Sequence, residues 1–167
     1  MKKFIIKDFE PAFVPDAEKI LKEEYSAEKK KVPSLPEESP AGLLNWLSTK
    51  KYKKAAFCGG RIVGYMMFTD VWDGFFGLCK GSFSPLGGSA VSFELGAERE
   101  KVMLLLFEGR ALVSCLSKIL EKEGAEFLGV DYETLNPTAL RFWTKYFSPY
   151  TYSFHRRIDE RIAHYLK

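Results

Sequence analysis

Residues 55–71, with the sequence AAFCGGRIVGYMMFTDV, decide how the chain folds. Two apolar, strand-like runs at 55–58 and 62–71 flank a turn made by Gly59, Gly60 and Arg61. A Gly-Gly pair between two such runs is typical of a β-hairpin, because glycine readily adopts the positive φ angles of tight hairpin turns. The sequence therefore predicts an antiparallel hairpin that can serve as the centre of a sheet.

The sequence after this hairpin predicts a third strand. Asp73 and Gly74 indicate a second turn, and residues 75–84 then form an antiparallel strand that ends at Pro85. The three strands together are expected to form a meander.

The region before the hairpin predicts a strand and two helices. Residues 3–9 are β-prone, and Pro15 and Asp16 begin a helix with apolar residues on one face. Residues 29–40 combine a lysine run with three prolines, which favours a loop, and residues 41–49 form a second short helix.

The C-terminal half alternates helices and strands. Residues 97–123 carry apolar side chains every three or four positions, so they form one helix or two, depending on whether Gly109 breaks the pattern. Residues 127–134 predict a strand. Asn136 is an N-cap before Pro137, and the helix that follows runs to about residue 147. A last strand is expected at 150–157.

Composition excludes several classes of protein. The 167 residues fit one domain, 1–167, and no apolar run approaches the length of a membrane-spanning helix. The N-terminus lacks the features of a secretory signal, so we expect a cytoplasmic protein. Three cysteines without a CxxC motif and two histidines predict no metal site, and a net charge of +3 gives no reason to expect nucleic-acid binding.

The order of these elements resembles the GNAT superfamily of acyl-CoA-dependent N-acyltransferases. Residues 59–65 resemble the family's second hairpin, and residues 130–147 resemble its fifth strand and fourth helix. Within the latter, the most specific part is Asn136-Pro137-Thr138-Ala139 followed by Phe142-Trp143. The resemblance implies an α/β (α+β) fold with a mixed, mostly antiparallel central sheet flanked by helices.

Two further segments, 24–36 and 83–88, resemble bacterial proteins that carry two GNAT modules in tandem. The present chain has the length of one module. We therefore expect a homodimer that recreates the pairing of two modules.

The resemblance implies that the chain transfers an acetyl group from acetyl-CoA to a primary amine of a small molecule or peptide. In the family, a glycine loop lets the CoA pyrophosphate approach backbone N–H groups at the start of a helix. This sequence offers two incomplete versions of that loop. One is 85–90, with Gly87, Gly88 and Ser89, and the other is 108–111, with Gly109 and Arg110.

The resemblance also assigns two residues near the acyl donor. Asn136 lies where the family has an asparagine that hydrogen-bonds the pantetheine arm, although N-capping alone also explains it. Trp143 lies where the family usually has a tyrosine that protonates the leaving thiolate. An indole N–H donates a hydrogen bond but does not transfer a proton, so this part of the family's mechanism is not preserved.

Two carboxylates are candidates for the general base. Asp131 and Glu133 lie two positions apart on the strand predicted at 127–134, so they share one face of it. If that face lines the cleft, their repulsion raises the pKa of one of them. The alternative function is a degenerate GNAT-like domain that serves as a dimerisation or ligand-sensing module. The incomplete glycine motif and Trp143 favour that alternative.

Overall fold

A computed structural model describes residues 3–33, 35, 37–108, 122–132, 137–145 and 147–149. Its strands are β1 (Ile5–Asp8), β2 (Lys53–Cys58), β3 (Arg61–Met67), β4 (Trp72–Phe76), β5 (Cys79–Ser84), β6 (Ser89–Val91) and β7 (Phe127–Val130). Its α-helices are α1 (Val14–Lys31), α2 (Leu43–Ser48), α3 (Arg99–Glu108) and α4 (Pro137–Trp143). Short 3-10 turns at Pro11–Phe13, Pro40–Gly42 and Phe93–Glu98 precede the first three helices.

The strands form two sheets. The first has the order β1-β2-β3-β6 with antiparallel neighbours, and the second has the order β4-β5-β7. In the second sheet β4 and β5 are antiparallel, whereas β5 and β7 are parallel. The predicted fold class, a mixed and mostly antiparallel α+β fold, is confirmed.

The hairpin of residues 55–71 is formed by β2 and β3, with Gly59 and Gly60 at positive φ in its turn. The second predicted turn is wrong, and so is the three-strand meander, because β3 pairs with β6 rather than with β4 or β5. Asp73 and Gly74 lie inside β4, and the chain reverses at Gly77 and Leu78, between the paired residues Phe76 and Cys79. Gly74 still needs its φ of 81°, because it lies where the register of β4 and β5 shifts.

The lengths of several elements differ from the prediction. Lys29, Lys30 and Lys31 end α1 instead of starting a loop, because cations are favourable at a helix C-terminus. β7 ends at Val130 and α4 at Trp143, both earlier than expected. The strand expected at 150–157 and most of the segment 109–123 lie outside the described residues. Within the described part of the chain, no helix combines the length and apolar character needed to cross a bilayer.

The first sheet is covered on both faces, because its strands alternate in side-chain direction. Ala55, Tyr65 and Met67 face the core made with α1 and α2. Ala56 and Met66 face the opposite core, which α3 and α4 complete. α1 and α3 therefore pack on opposite sides of β3.

A turn at residues 85–88 transfers the chain from the second sheet to the first. β5 ends at Ser84, and β6 begins at Ser89 beside β3. The Tyr65 hydroxyl donates to the Gly87 carbonyl at 2.9 Å, and the Met67 N–H donates to the Gly88 carbonyl at 2.8 Å. Burial raises the pKa of Tyr65 well above its ordinary value, so this hydroxyl remains a donor at physiological pH.

Gly88 has no room for a side chain. A Cβ atom there would lie 2.5 Å from Ser84 Oγ, 2.9 Å from the Pro85 carbonyl oxygen and 3.1 Å from the Met67 carbonyl oxygen. Two of these atoms belong to the backbone, so relief requires the turn itself to shift.

Gly88→Ala should therefore lower the free energy of unfolding by about 2 kcal/mol, as expected for a side chain forced into a packed interior. Urea denaturation measures the change. Gly42→Ala is the matched control, because Gly42 has helical φ and ψ and a Cβ there meets nothing within 4 Å. Equal stability of the two variants would contradict the assigned packing of the turn.

Candidate active site

The candidate site lies where two parallel strands separate. The register of β5 and β7 ends with Ser84 opposite Val130, and one more hydrogen bond joins the Asp131 N–H to the Ser84 carbonyl at 2.9 Å. Beyond it, the chain on one side enters the turn 85–88 and pairs with β3 as β6. Among the described residues, no strand pairs with the other edge of β6.

This separation opens into a cleft of about 680 Å³. Helix α1 forms one wall, the turn and β6 form the floor, and the start of α3 closes one end. The opposite wall comes from the residues after β7 and from α4. Residues that line the cleft include Glu24, Glu28, Ser89, Val91, Arg99, Asp131, Tyr132 and Trp143.

An ion pair between Glu24 and Arg99 lies on the open edge of β6. Both side chains are largely buried, with exposed fractions of 17% for Glu24 and 24% for Arg99. Glu24 Oε2 accepts a hydrogen bond from the Val91 N–H at 3.3 Å. Arg99 Nε donates to the Val91 carbonyl at 3.1 Å, while its other end contacts the Glu24 carboxylate. The two side chains thus satisfy the backbone groups that a further strand would have paired.

The protonation of Glu24 is balanced between opposing effects. Burial raises the pKa of Glu24 from its ordinary value of 4.5 to about 7, and the nearby Glu28 carboxylate adds to the rise. Arg99 and the Val91 N–H act in the opposite direction, because both favour the charged form. The pKa of Glu24 therefore lies closer to neutrality than that of an ordinary glutamate, which is the range that general-base catalysis uses.

Asp131 also lies in the cleft, at its exposed rim. Partial burial raises the pKa of Asp131, and a hydrogen bond from the Leu86 backbone opposes that rise. Because β7 ends at Val130, Asp131 is beyond the strand on which it was predicted to share a face with Glu133. Glu133 itself lies outside the described residues.

The predicted donor-binding residues divide into two groups. Gly87, Ser89 and Trp143 line the cleft, and Gly88 lies between the first two in the turn. Asn136, Gly109 and Arg110 lie outside the described residues. Residues 85–88 lead into β6 rather than into a helix, so this loop lacks the helix N-terminus at which the family's glycine loop binds the pyrophosphate.

The helix that follows β6 is α3, and its beginning is acidic. Glu94, Glu98 and Glu100 lie at or just before its first turn, and one carboxylate oxygen of Glu98 is buried without a hydrogen-bond partner. Two nearby cations pair with these carboxylates: Arg61 lies 3.7 Å from Glu94, and Lys145 lies 3.3 Å from Glu100. This helix start does not suit a pyrophosphate, because carboxylates repel phosphate oxygens.

Sequence reasoning missed Glu24 and Arg99 as site residues. The signal for Glu24 was present: it lies within the apolar stripe of α1, next to the buried Tyr25 and one turn after Leu21. A carboxylate in such a stripe must be paired or must serve a site. Arg99 gave no comparable signal, because its contact with Glu24 joins residues 75 positions apart.

In the segments that the structure describes, no group of three or more His, Cys, Asp and Glu side chains is placed to hold a metal ion.

Comparisons with known proteins identify the fold. No protein-family model and no curated protein matches the sequence. Among solved structures, the chain is similar to a ribosomal-protein-alanine N-acetyltransferase from Brucella melitensis biovar Abortus 2308. The TM-score is 0.58 at 12% identity, over 94% of this chain and 100% of that chain.

Two aminoglycoside acetyltransferases are similar as well. One is meta-AAC0020 from an uncultured soil metagenomic sample, in complex with sisomicin, with a TM-score of 0.56 at 14% identity over 93% of this chain and 97% of that chain. The other is AAC(6')-Iy in complex with CoA, with a TM-score of 0.56 at 10% identity over 94% of this chain and 96% of that chain. These likenesses confirm the predicted GNAT fold.

The raised pKa of Glu24 predicts a pH-dependent stability. The folded protein holds the Glu24 proton more tightly than the unfolded chain does. Proton binding at Glu24 therefore stabilises the fold fully below pH 4.5, and this stabilisation is lost as the pH rises through about 7. In the wild type, the free energy of unfolding should fall by about 1 to 3 kcal/mol across this interval. In Glu24→Gln this fall should be absent. Urea denaturation at a series of pH values measures it.

The matched control is Glu23→Gln, which changes the neighbouring, exposed carboxylate of α1. Its stability should follow the wild-type pH dependence. A Glu24→Gln profile parallel to that of the wild type would show that Glu24 does not titrate with a raised pKa.

Proposed function

We propose that the chain is an N-acyltransferase that moves an acetyl group from acetyl-CoA to a primary amine in the cleft. The observation that carries this proposal is the separation of β5 and β7, which leaves one edge of β6 without a partner strand among the described residues, beside a cleft that the Glu24 carboxylate lines. A thioester arm and an amine can meet there from opposite sides. Structural neighbours that catalyse acetyl transfer support the general reaction.

The donor is proposed to lie along β6 rather than β5. The N–H groups of β5 are not free to polarise the thioester carbonyl, because β5 is the middle strand of its sheet and pairs on both sides. The open edge belongs to β6. Since alternate residues of a strand point their N–H groups to the same edge, Ser89 presents its N–H on the side where the Val91 N–H contacts Glu24.

The chemistry proposed is direct transfer. The amine lone pair attacks the thioester carbon, the C–N bond forms and the C–S bond breaks, while the nitrogen gives up one proton and the departing sulfur gains one. A thiolate whose conjugate acid has a pKa near about 8.5 leaves readily, so Trp143 need not supply a proton. Most of the rate enhancement then comes from holding amine and thioester together.

The site residues are proposed on the same basis. Gly87, Gly88 and Ser89 would hold the acyl end of the donor, and Trp143 lines the same cleft. Asn136 is proposed to hydrogen-bond the pantetheine arm, as the resemblance implies. Asp131 and Glu133 remain proposals for proton transfer, and Gly109 and Arg110 for the donor's phosphates. A cytoplasmic homodimer also stays a prediction.

A second function is favoured by the acidic start of α3. If the donor's phosphates find no positive site, the cleft can still bind a small amine without catalysing its acylation. The protein would then act as a dimerisation or ligand-sensing module. The two functions differ in one property, affinity for acetyl-CoA.

Acetyl-CoA should raise the melting temperature of the protein, whereas ATP should not, because ATP lacks the pantetheine arm. A ligand at 100 times its dissociation constant adds about 2.7 kcal/mol of apparent stability. Release of free thiol should then be measured with sisomicin, spermidine and a peptide with N-terminal alanine as acceptors. Amine-dependent thiol release is the expected result.

Ala27→Trp and Ser26→Trp form the matched pair for this test. Ala27 lines the cleft, so tryptophan there should lower amine-dependent turnover at least about 10-fold by filling the space. Ser26 is exposed and does not line the cleft, so its variant should retain turnover. No stabilisation by millimolar acetyl-CoA would reject the acyltransferase and favour the binding module.

A further inference from the structure

Glu24 has the position of a group that serves the acceptor. Its carboxylate extends from α1 into the cleft and reaches the open edge of β6, where the thioester carbonyl is proposed to bind. We propose that Glu24 is the general base that takes the proton from the acceptor amine, and that Arg99 is a positioning residue that holds the carboxylate in place. This inference rests on the proposed acyl transfer.

The hydrogen bonds around Val91 fix where the carboxylate lies. One oxygen of Glu24 accepts from the Val91 N–H, and Arg99 connects the other oxygen to the Val91 carbonyl. Both partners of Glu24 are therefore tied to the same residue of the cleft floor. A carboxylate held in this way loses little freedom when an amine arrives, which favours proton transfer.

Asp131 is the less suitable base. It is exposed at the rim, whereas the Glu24 side chain is only 17% exposed. Burial is what moves a carboxyl pKa toward the pH at which an amine must be deprotonated. Glu24 also lies on the α1 wall of the cleft that Trp143 and the residues after β7 line, so an amine beside it can reach a donor bound along β6.

The charged and titratable groups that face Glu24 come from three elements. Arg99 of α3 favours the charged carboxylate, Glu28 of the same helix opposes it, and Tyr65 of β3 is close enough for Glu24 to raise the pKa of its hydroxyl. Tyr65 stays neutral, so near pH 7 the balance depends on Arg99, Glu28 and burial.

In the proposed step, the amine nitrogen bonds to the thioester carbon and its proton passes to a Glu24 carboxylate oxygen. The C–S bond then breaks, and the sulfur leaves with its electron pair. The thiolate takes a proton from water, and Glu24 returns its proton to water. No oxidant, reductant or further reactant is needed.

The test uses the best acceptor found among sisomicin, spermidine and the alanine peptide. For the wild type, kcat/KM should rise with pH through an apparent pKa of about 7. Glu24→Gln should lower kcat about 100-fold or more and lose this rise, while the Kd for acetyl-CoA changes less than 2-fold. Glu23→Gln, on the exposed side of α1, should behave as the wild type.

Chemical rescue separates catalysis from structure. Glu24→Ala leaves space beside the Arg99 guanidinium, and formate added to that variant should restore part of its turnover in proportion to formate concentration. Arg99→Lys keeps the positive charge but loses the guanidinium that contacts both the Val91 carbonyl and Glu24. The pH profile of kcat/KM should therefore shift, while acetyl-CoA binding should be unchanged.

The outcomes distinguish this inference from the proposed function. If the wild type turns over and Glu24→Gln has the same kcat and pH profile, the role of Glu24 is overturned, but the proposed acyltransferase function is not. Loss of activity without any rescue by formate would also overturn it. Absence of both acetyl-CoA binding and turnover in the wild type would overturn the two together.

Discussion

The cleft depends on one constraint, the turn at residues 85–88 that moves the chain from the second sheet to the first. A continuous strand would have kept β5 and β7 paired and left no space between them. The turn is fixed by the Tyr65 hydroxyl on the Gly87 carbonyl and by the Met67 N–H on the Gly88 carbonyl. Gly87, at a φ of 86°, lets the backbone pass close to Pro40. The fold alone therefore requires Gly87 and Gly88, whether or not they also bind a ligand.

The ion pair of Glu24 and Arg99 is the second consequence of that turn. β6 needs partners for its open edge, and in this chain two side chains supply them at Val91. A buried ion pair adds little net stability, because desolvation offsets most of the attraction. Besides pairing the open edge of β6, the two side chains lie on the floor of a cleft, where burial raises the pKa of Glu24 to about 7, and the proposed catalytic role rests on these two facts.

Local chemistry predicted much of the fold and some of the residues that line the cleft. The Gly59-Gly60 pair identified the central hairpin, because hairpin turns depend on nearby residues alone. The turn predicted at Gly74 is wrong, because a glycine at positive φ occurs in a strand bulge as well as in a turn. Only the pairing of Phe76 with Cys79 shows that Gly74 lies in a bulge. Asp131 was predicted as a site residue and lies in the cleft. Arg99 could not be found, because its role depends on contacts between α1, β6 and α3 that no local pattern encodes.

The central claim is that the cleft beside β6 receives a pantetheine thioester. Titration of the isotopically labelled protein with acetyl-CoA, followed by backbone amide NMR shifts, tests it most directly. The account predicts saturable shifts concentrated at Leu86, Ser89 and Val91 on the floor and at Asp131 and Tyr132 on the opposite wall. Saturable shifts confined to residues outside the cleft, or none at millimolar acetyl-CoA, would contradict it.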